Sequence, residues 1–409
     1  MQHFDITIVG GGMVGLSAAL AIRKVCRLSV AVIDPSPLAD IGDEPGLRVS
    51  AINDASENLL RQLDVWPLIK QQRHQAYNHM HVWDKDGYGH LDFDVSDMPA
   101  LAKDKTDIGH IIENDIIRQA LWQKVSQDSG IAIIEDRISS MGMGESEVFL
   151  SLEKQGPLLS KLLIAADGAN SWVRKQLDIA VTFRDYDHHA LVATVSVEQG
   201  HQNTAWQVFL DSGPLAFLPL YEQTMCSIVW SLPPEKAKQF TECDRDSFNK
   251  AITAASDGKL GRVKLLSERI FFPLTMRLAR EFVKQRAIFI GDAAHTIHPL
   301  AGQGVNLGLV DVAALAQTLE QILAQGKDLD DNKLWQAFSR WRKSDASEMM
   351  AAMEAIKQGF AVQDKLPKII RGVGMSLLNQ FAPVKQQMIK HAMGQRSDLP
   401  NLCRYKQDL

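Results

Sequence analysis

The sequence predicts an α/β protein with a Rossmann-like nucleotide-binding domain, a second, β-sheet-rich substrate domain and a C-terminal helical segment. Three observations predict it. A glycine-rich turn at 10–15 stands between a short apolar strand and a helix. Two more apolar strands, at 162–166 and 286–290, also run into small residues and a carboxylate. Between these two, residues 181–272 alternate with a period of two ("ALVATVSV", "WQVFLD", "LAFLPL", "CSIVWSL"), the signature of strands with one buried face.

Composition narrows the class. A chain of 409 residues with 45% hydrophobic and 23% charged side chains has the make-up of a globular protein large enough for two domains. A net charge of −5 argues against nucleic acid as a partner, which would want a basic face. Cys26, Cys226, Cys243 and Cys403 are scattered without a C-x-x-C pair, so they read as free, packed thiols of a reducing compartment. The N-terminal apolar stretch has no basic residue before Arg23 and is interrupted by glycines, unlike a signal peptide. With no uninterrupted run of eighteen apolar residues, the expected location is the cytoplasm, peripheral to the inner face of the membrane at most.

The first unit is "DITIVGGGMVGLSAALAI" followed by "LSVAVIDPS". Ile6, Ile8 and Val9 form a strand, Met13 to Lys24 a helix, and Leu28 to Ile33 a second strand that ends at Asp34. Gly10, Gly12 and Gly15 fit G-x-G-x-x-G, in which glycines allow a tight turn, close approach of a pyrophosphate and close helix–strand packing. The helix N-terminus at Met13 and Val14 offers free N–H groups to phosphates, and Asp34 stands where a carboxylate accepts ribose hydroxyls. This unit alone leaves NAD and FAD equally open.

The other strand ends favour a longer cofactor. "LLIAADGANSWVR" at 162–174 and "RAIFIGD" at 286–292 are strands of the same kind, and a helix follows from Val305 to Ala324. An NAD-only domain needs one such strand end, whereas a cofactor threaded across several explains all three. The trio GGGMVG at 10–15, ADG at 166–168 and GDAAH…P…GQGVNLG at 291–308 resembles the single-component FAD-dependent aromatic hydroxylases, which share the para-hydroxybenzoate hydroxylase fold. More narrowly the chain resembles the ubiquinone-biosynthesis hydroxylases, through "LRVSAIN" at 47–53, "VWDKDGYGH" at 82–90, "GHIIEN" at 109–114, "HHALVAT" at 188–194, "LAFLPL" at 215–220 and "CSIVWSL" at 226–232. Asp34 is a small departure, since many relatives carry Glu there.

The resemblance implies FAD as cofactor and NAD(P)H as transient reductant, for which the chain has no second dinucleotide fingerprint. It implies uptake of O2 by the reduced flavin as a C4a-hydroperoxide and transfer of one oxygen to a ring carbon of a polyprenylphenol. The FAD-binding domain is expected to be discontinuous, residues 1–75, 104–180 and 274–345. The substrate domain takes 76–103 and 181–273, and the helical segment 346–409. Arg48, Asp167, Gly291 and Asp292 join the first glycines in the implied cofactor site, Asp292 as a partner for ribityl or ribose hydroxyls. Gly302, Gln303, Gly304, Val305 and Asn306 would bring backbone N–H groups and a helix N-terminus to the flavin ring, with Pro299 beside its reacting face. His295 and His298 stand at metal-ligand spacing, but Pro299 follows and no third ligand is near, so packing and hydrogen bonding are expected rather than a metal.

For the substrate, Phe217, Leu218 and Pro219 are candidate lining, and His188, His189 and Tyr221 candidate proton partners, with no one base singled out. From 365 to 396 the chain carries Lys365, Lys368, Arg371, Lys385, Lys390 and Arg396 without an acid, with apolar residues at helical spacing. That pattern suits a helix packed on the body, a subunit contact in a homo-oligomer or a ubiquinone-biosynthesis complex, or a basic face on anionic lipid. Rival readings are a same-fold hydroxylase of another aromatic compound and a non-catalytic flavin-binding scaffold.

Overall fold

The structure, a computed structural model, describes residues 1–38, 40–85, 89–97, 106–297, 304–361, 381–396 and 398–405. Its first sheet is mostly parallel. Gln2–Val9 lies at the centre, flanked by Gly156–Ala165 and Val30–Ile33, then by Ala287–Phe289 on one side and Ile131–Ile134 on the other. These strands read as near-continuous apolar runs because both faces are covered. Ile6, Ile8, Val30, Val32, Leu162 and Ile164 point into a core under the helices Met13–Val25, Asn114–Val125 and Gly304–Ala324. Val9, Ala31, Ile33, Leu163 and Ala165 point the other way, toward Val148, Leu150 and the Ala346–Met350 turns of the helix Asn332–Ala361.

The second sheet is nearly all antiparallel. In order it runs His295–Thr296, Ile270–Ala279, Val181–Val197, Met225–Leu232, Gly213–Pro219, Thr204–Leu210, His79–Asp84 and His90–Asp94, with Val263–Leu265 also pairing Val181–Val197. One face buries Leu191, Val195, Phe217, Ile228 and Trp230 beneath two helices, Pro234–Glu242 and Arg245–Ala255, that interrupt the expected run of strands. Their signals are local: Pro234 in the first turn of one, and the Asp244 side chain accepting from Ser247 N at the start of the other.

A three-stranded sheet, Val49–Asn53, Gly109–Glu113 and Gln75–Tyr77, joins the two halves. Strand alternation makes the join. Ile52 and Ile112 face the core of the parallel sheet, while Ala51 and Ile111 face Ala216, Leu218 and Leu220 of the second. The helix Gly304–Ala324 is long and apolar enough to cross a membrane, yet it is mostly buried here as the central helix of the first core. All four cysteines are free thiols, and burial raises the pKa of Cys226 and Cys403.

Candidate functional site

The first corner is built by three glycines with three different reasons. Gly10 has φ +109°, and a Cβ there would collide with the Ala166 carbonyl. A Cβ on Gly15 would collide with the Gly10 carbonyl oxygen, so that glycine lets the helix lie against the strand. Gly12 is neither strained nor crowded. Its φ of −77° and ψ of −179° suit any residue, and a Cβ built on it meets nothing within 4 Å. It is the N-cap of Met13–Val25 with no side-chain cap, so unshared N–H groups face that open space. Asp34 closes the corner by accepting from Gly11 N at 2.5 Å and Ser36 N at 2.7 Å. Arg118 clamps the same loops through Gly11 O and Ser36 O, both at 2.9 Å.

The three strand ends converge. Gly10 abuts Ala166 of the second motif, and Val14 packs on Gly291 and Gly308 of the third. Arg174 donates to Ala293 O at 2.8 Å and to Ala169 O at 2.7 Å, and Arg277 reaches Ala169 O from the second sheet. Gly304 opens its helix with nothing within 4 Å of a built Cβ, so a second helix N-terminus, like the one at Gly12, begins at an uncrowded glycine. Asp167 accepts from Val173 N at the start of Trp172–Gln176, while its Oδ1 is buried without a hydrogen bond; burial raises its pKa. Asp292 is solvent-exposed yet surrounded by protein, as on the wall of a deep cleft. The crowding raises its pKa, against the pull of His295, Arg48 and Arg277.

Beneath the third motif lies a charge network that periodicity did not reveal. Asp311, fully buried on the Gly304–Ala324 helix, accepts from Gly291 N at 2.9 Å, from His295 Nε2 at 2.6 Å and from Arg342 Nε at 2.6 Å. Arg342, also fully buried, pairs in turn with Asp345, which Arg396 approaches to 3.4 Å. Burial alone would raise the Asp311 pKa, but His295 and Arg342 outweigh it and hold the carboxyl below its ordinary value. The signal was present in "LGLVDVAALA": a lone acid in an apolar helix needs a buried partner.

Comparison with known proteins now decides the class. Residues 3–351 match the family model described as "FAD binding domain". The chain is 31% identical to the 3-demethoxyubiquinol 3-hydroxylase of Escherichia coli (strain K12), covering 96% of this chain and 99% of that protein. It is 32% identical to the mitochondrial ubiquinone biosynthesis monooxygenase COQ6 of Xenopus tropicalis, over 95% and 93% of the two chains. The chain belongs to the FAD-dependent ubiquinone-biosynthesis hydroxylases. Its fold is also that of p-nitrophenol 4-monooxygenase PnpA from Pseudomonas putida DLL-E4, with a TM-score of 0.77 at 17% identity over 97% of this chain and all of that one.

The corner geometry fits the family's FAD. Open space in front of Gly12 and Gly304, two helix N-termini facing it, and the cleft-wall carboxylate of Asp292 are what a pyrophosphate, a ring edge and a hydroxylated chain require. Of the residues expected around the cofactor in this hydroxylase, Gly10, Gly12, Met13, Val14, Gly15, Asp34, Asp167, Gly291 and Asp292 meet at this junction. Arg48 lies 5.8 Å over the Phe272 ring, within electrostatic reach of Asp292. Gly304 and Val305 start the helix, but the Asn306 side chain is spent on the fold: it donates to Ala51 O at 2.8 Å and accepts from Asn53 N at 3.2 Å. His298, Pro299, Gly302 and Gln303 lie outside the described residues.

The substrate candidates need correction. Neighbouring strand residues face opposite ways, so Phe217, Leu218 and Pro219 cannot share one pocket wall. Phe217 lies in the core beneath the 234–255 helices, and Pro219, paired with Cys226, falls on that same face by register. Leu218 alone faces the flavin half. His189 shares the helix-covered face with Leu191 and stacks on Phe271 at 5.3 Å, on the wrong side of the sheet for a proton partner. His188 Nδ1 lies 2.9 Å from Tyr186 O, and Tyr221 packs into the junction core under Arg73. The basic segment is also less free than its sequence suggests. Its run after Pro383 is a helix, Ala382–Ala392, with Ile389 and, just past its end, Met393 buried in the junction core. Lys385 pairs with Asp97 at 2.7 Å and Arg396 with Asp345, while Lys365, Lys368 and Arg371 lie outside the described residues.

Proposed function

We propose that the protein hydroxylates a ring carbon of a polyprenylphenol on the route to ubiquinone, with NAD(P)H as reductant and O2 as oxygen source. The observation that carries this reading is similarity over nearly the whole chain to hydroxylases named for ubiquinone intermediates and ubiquinone biosynthesis. Bound at the junction, FAD supplies the two-electron redox chemistry and the activation of O2 that no amino-acid side chain provides. The chain's own part is to bind, orient and keep dry. The N-termini of Met13–Val25 and Gly304–Ala324 would stabilise negative charge on the phosphates and the ring, and Asp292 would accept from a hydroxyl of the cofactor. The sheet face bearing Ala190, Val229, Phe272 and Leu274 is apolar, suited to excluding water from an aromatic ring and its hydrocarbon tail. Arg48, between Phe272 and Asp292, is placed to stabilise phenolate character in the substrate, which makes the ring more electron-rich.

A demethoxyquinol is the second substrate reading, favoured by the E. coli relative's name. Purified holo-protein is tested with prenylated phenols and prenylated demethoxyquinols under NADH or NADPH. The expected result is reductant oxidation stimulated by one class and matched by hydroxylated product. Stimulation without product, or by soluble aromatic acids alone, overturns the proposal. Contact with the membrane surface follows from the substrate, and exposed Phe381, Met388 and Lys390 in and beside one helix support it. Equal binding of the Lys390→Glu variant and its parent to anionic liposomes would remove that helix from the contact.

A further inference from the structure

At one edge of the second sheet, the end opposite His295–Thr296, the strands His79–Asp84 and His90–Asp94 pair antiparallel. Their register sets His79 opposite Asp94, His81 opposite Asp92 and Trp83 opposite His90. Alternation puts these side chains on one face, while Met80 and Phe93 turn to the other and pack into the hydrophobic cores there. Asp92 Oδ1 lies 2.6 Å from His81 Nδ1 and 3.2 Å from His79 Nε2, and Asp92 Oδ2 lies 3.5 Å from His90 Nε2. One ligand atom from each of His79, His81 and Asp92 falls within 4.8 Å of the others. We propose that these three residues, with His90 beside them, bind a borderline divalent transition metal of the zinc class, a site separate from the flavin chemistry.

The chemistry of the donor set supports this class. Two imidazoles and a carboxylate suit zinc, nickel, cobalt or copper better than magnesium or calcium, which want oxygen. Bonds of about 2.0–2.2 Å to a tetrahedral ion put neighbouring ligand atoms roughly 3.3 Å apart, close to the His79–Asp92 separation. His79 also has the supporting contact such ligands use. Its Nδ1 lies 3.3 Å from Asp94 Oδ2, and an N–H donated there leaves the Nε2 lone pair for the ion. Asp94 is itself held by Ser96, whose N and Oγ donate to its other oxygen at 2.7 and 2.6 Å.

Lys259 gives the proposal its sharpest test. Its Nζ lies 3.0 Å from His81 Nε2 and 5.0 Å from the Trp83 ring centre, so an internal cation already sits at the edge of the cluster. When the ammonium donates to Nε2, the ring proton goes to Nδ1 and toward Asp92. A metal on Nδ1 moves that proton to Nε2, where it opposes the ammonium. Lys259 is exposed and can swing away, so it acts as a competitor whose removal tightens metal binding. A bound ion would tie the edge strand His90–Asp94 to its neighbour His79–Asp84, at a sheet edge where an unpaired strand is a hazard.

The test uses FAD-loaded protein with any affinity tag removed, titrated with Zn2+ against a chromophoric chelator at pH 7.5. The expected result is one equivalent bound at micromolar or tighter affinity. His79→Gln and Asp92→Asn should each lose about tenfold or more, and Lys259→Met should bind more tightly than the parent. FAD content and melting temperature confirm that each variant is folded. Co2+ added to the unsubstituted protein should give visible ligand-field bands, a readout that needs no variant. Equal affinity in the parent and in His79→Gln, no tightening in Lys259→Met, or a Co2+ spectrum like that of the free ion overturns the site and leaves a hydrogen-bonded ion-pair cluster.

Discussion

The two helix N-termini at the flavin junction are held in place by different physics. The corner at 10–15 is fixed by shape, with Gly10 and Gly15 letting strand, turn and helix touch, and Asp34 tying the turn to the next strand. The corner at 291–308 is fixed by charge. Asp311 reaches down from the helix to Gly291 and His295 and is balanced by Arg342, which comes from another helix. A shape-fixed corner is complete within one short segment and fails when volume is added. A charge-fixed corner is assembled from distant residues and fails when a partner is removed. Four variants test the contrast, ordered by expected loss of stability in the cofactor-free protein.

Gly15→Ala should be the most damaging. The new methyl meets a backbone carbonyl that cannot swing aside, so the helix must move off its strand. Overpacking that side chains can absorb costs about 1–3 kcal/mol; here the methyl would stand well inside contact distance of the Gly10 carbonyl oxygen and only backbone can yield, so the loss should exceed that of a broken buried ion pair, and little soluble, FAD-containing protein is expected. A Gly15→Ala protein with parental melting temperature and flavin content would show that the corner is not set by packing.

Arg342→Met comes next. Removing one partner of a buried pair costs about 3–5 kcal/mol, and it leaves Asp311 with His295 and the Gly291 amide. The double variant Arg342→Met/Asp311→Asn should recover part of the loss, which chemical denaturation would measure. pH gives an independent check. The Asp311 carboxyl is held below its ordinary value, so its contribution is complete above about pH 4 and is lost as pH falls further through the lowered value. The parent should therefore show an acid limb that Asp311→Asn lacks; identical limbs would take Asp311 out of the stabilising network.

This contrast also explains what could be read in the sequence. The order of elements in the first corner was legible, because strand, Gly10, Gly12, Gly15 and Asp34 follow within one segment, but Asp34, expected to meet ribose hydroxyls, accepts from Gly11 N and Ser36 N. The third motif was visible as a strand ending at Asp292, but its support was not. Nothing in the local pattern pairs Asp311 with Arg342, 31 positions further on. Phe217 and Pro219 were misread because an apolar string shows that a strand is buried on both faces without showing which face meets the substrate. The helices at 234–255 sit inside a stretch whose alternation drew attention to its strands alone.

Asp34→Ala should cost less. It removes the acceptor for Gly11 N and Ser36 N, two hydrogen bonds of about 1 kcal/mol each, in a loop that water can partly resolvate. Flavin affinity should fall alongside stability, since the turn that carries Gly12 loses its tie to the next strand. Asp34→Glu, the residue many relatives carry, should retain most of both. Failure of Glu to rescue would mean that the shorter side chain is required by the turn itself.

Gly12→Ala separates shape that serves the fold from shape that serves the ligand. The extended backbone at Gly12 accepts alanine without strain, and the added methyl meets nothing in the cofactor-free protein. The only expected penalty is the poorer N-cap, below about 1 kcal/mol. In the loaded protein the same methyl stands in the space the helix N-terminus faces, where a pyrophosphate would approach most closely. Apo melting temperature should therefore stay close to that of the parent, while FAD affinity drops at least about tenfold, or roughly 1.4 kcal/mol. Flavin fluorescence titration and thermal denaturation on one preparation measure both. Parallel loss of the two would make Gly12 another packing glycine like Gly15, and full affinity in a stable variant would place the pyrophosphate elsewhere.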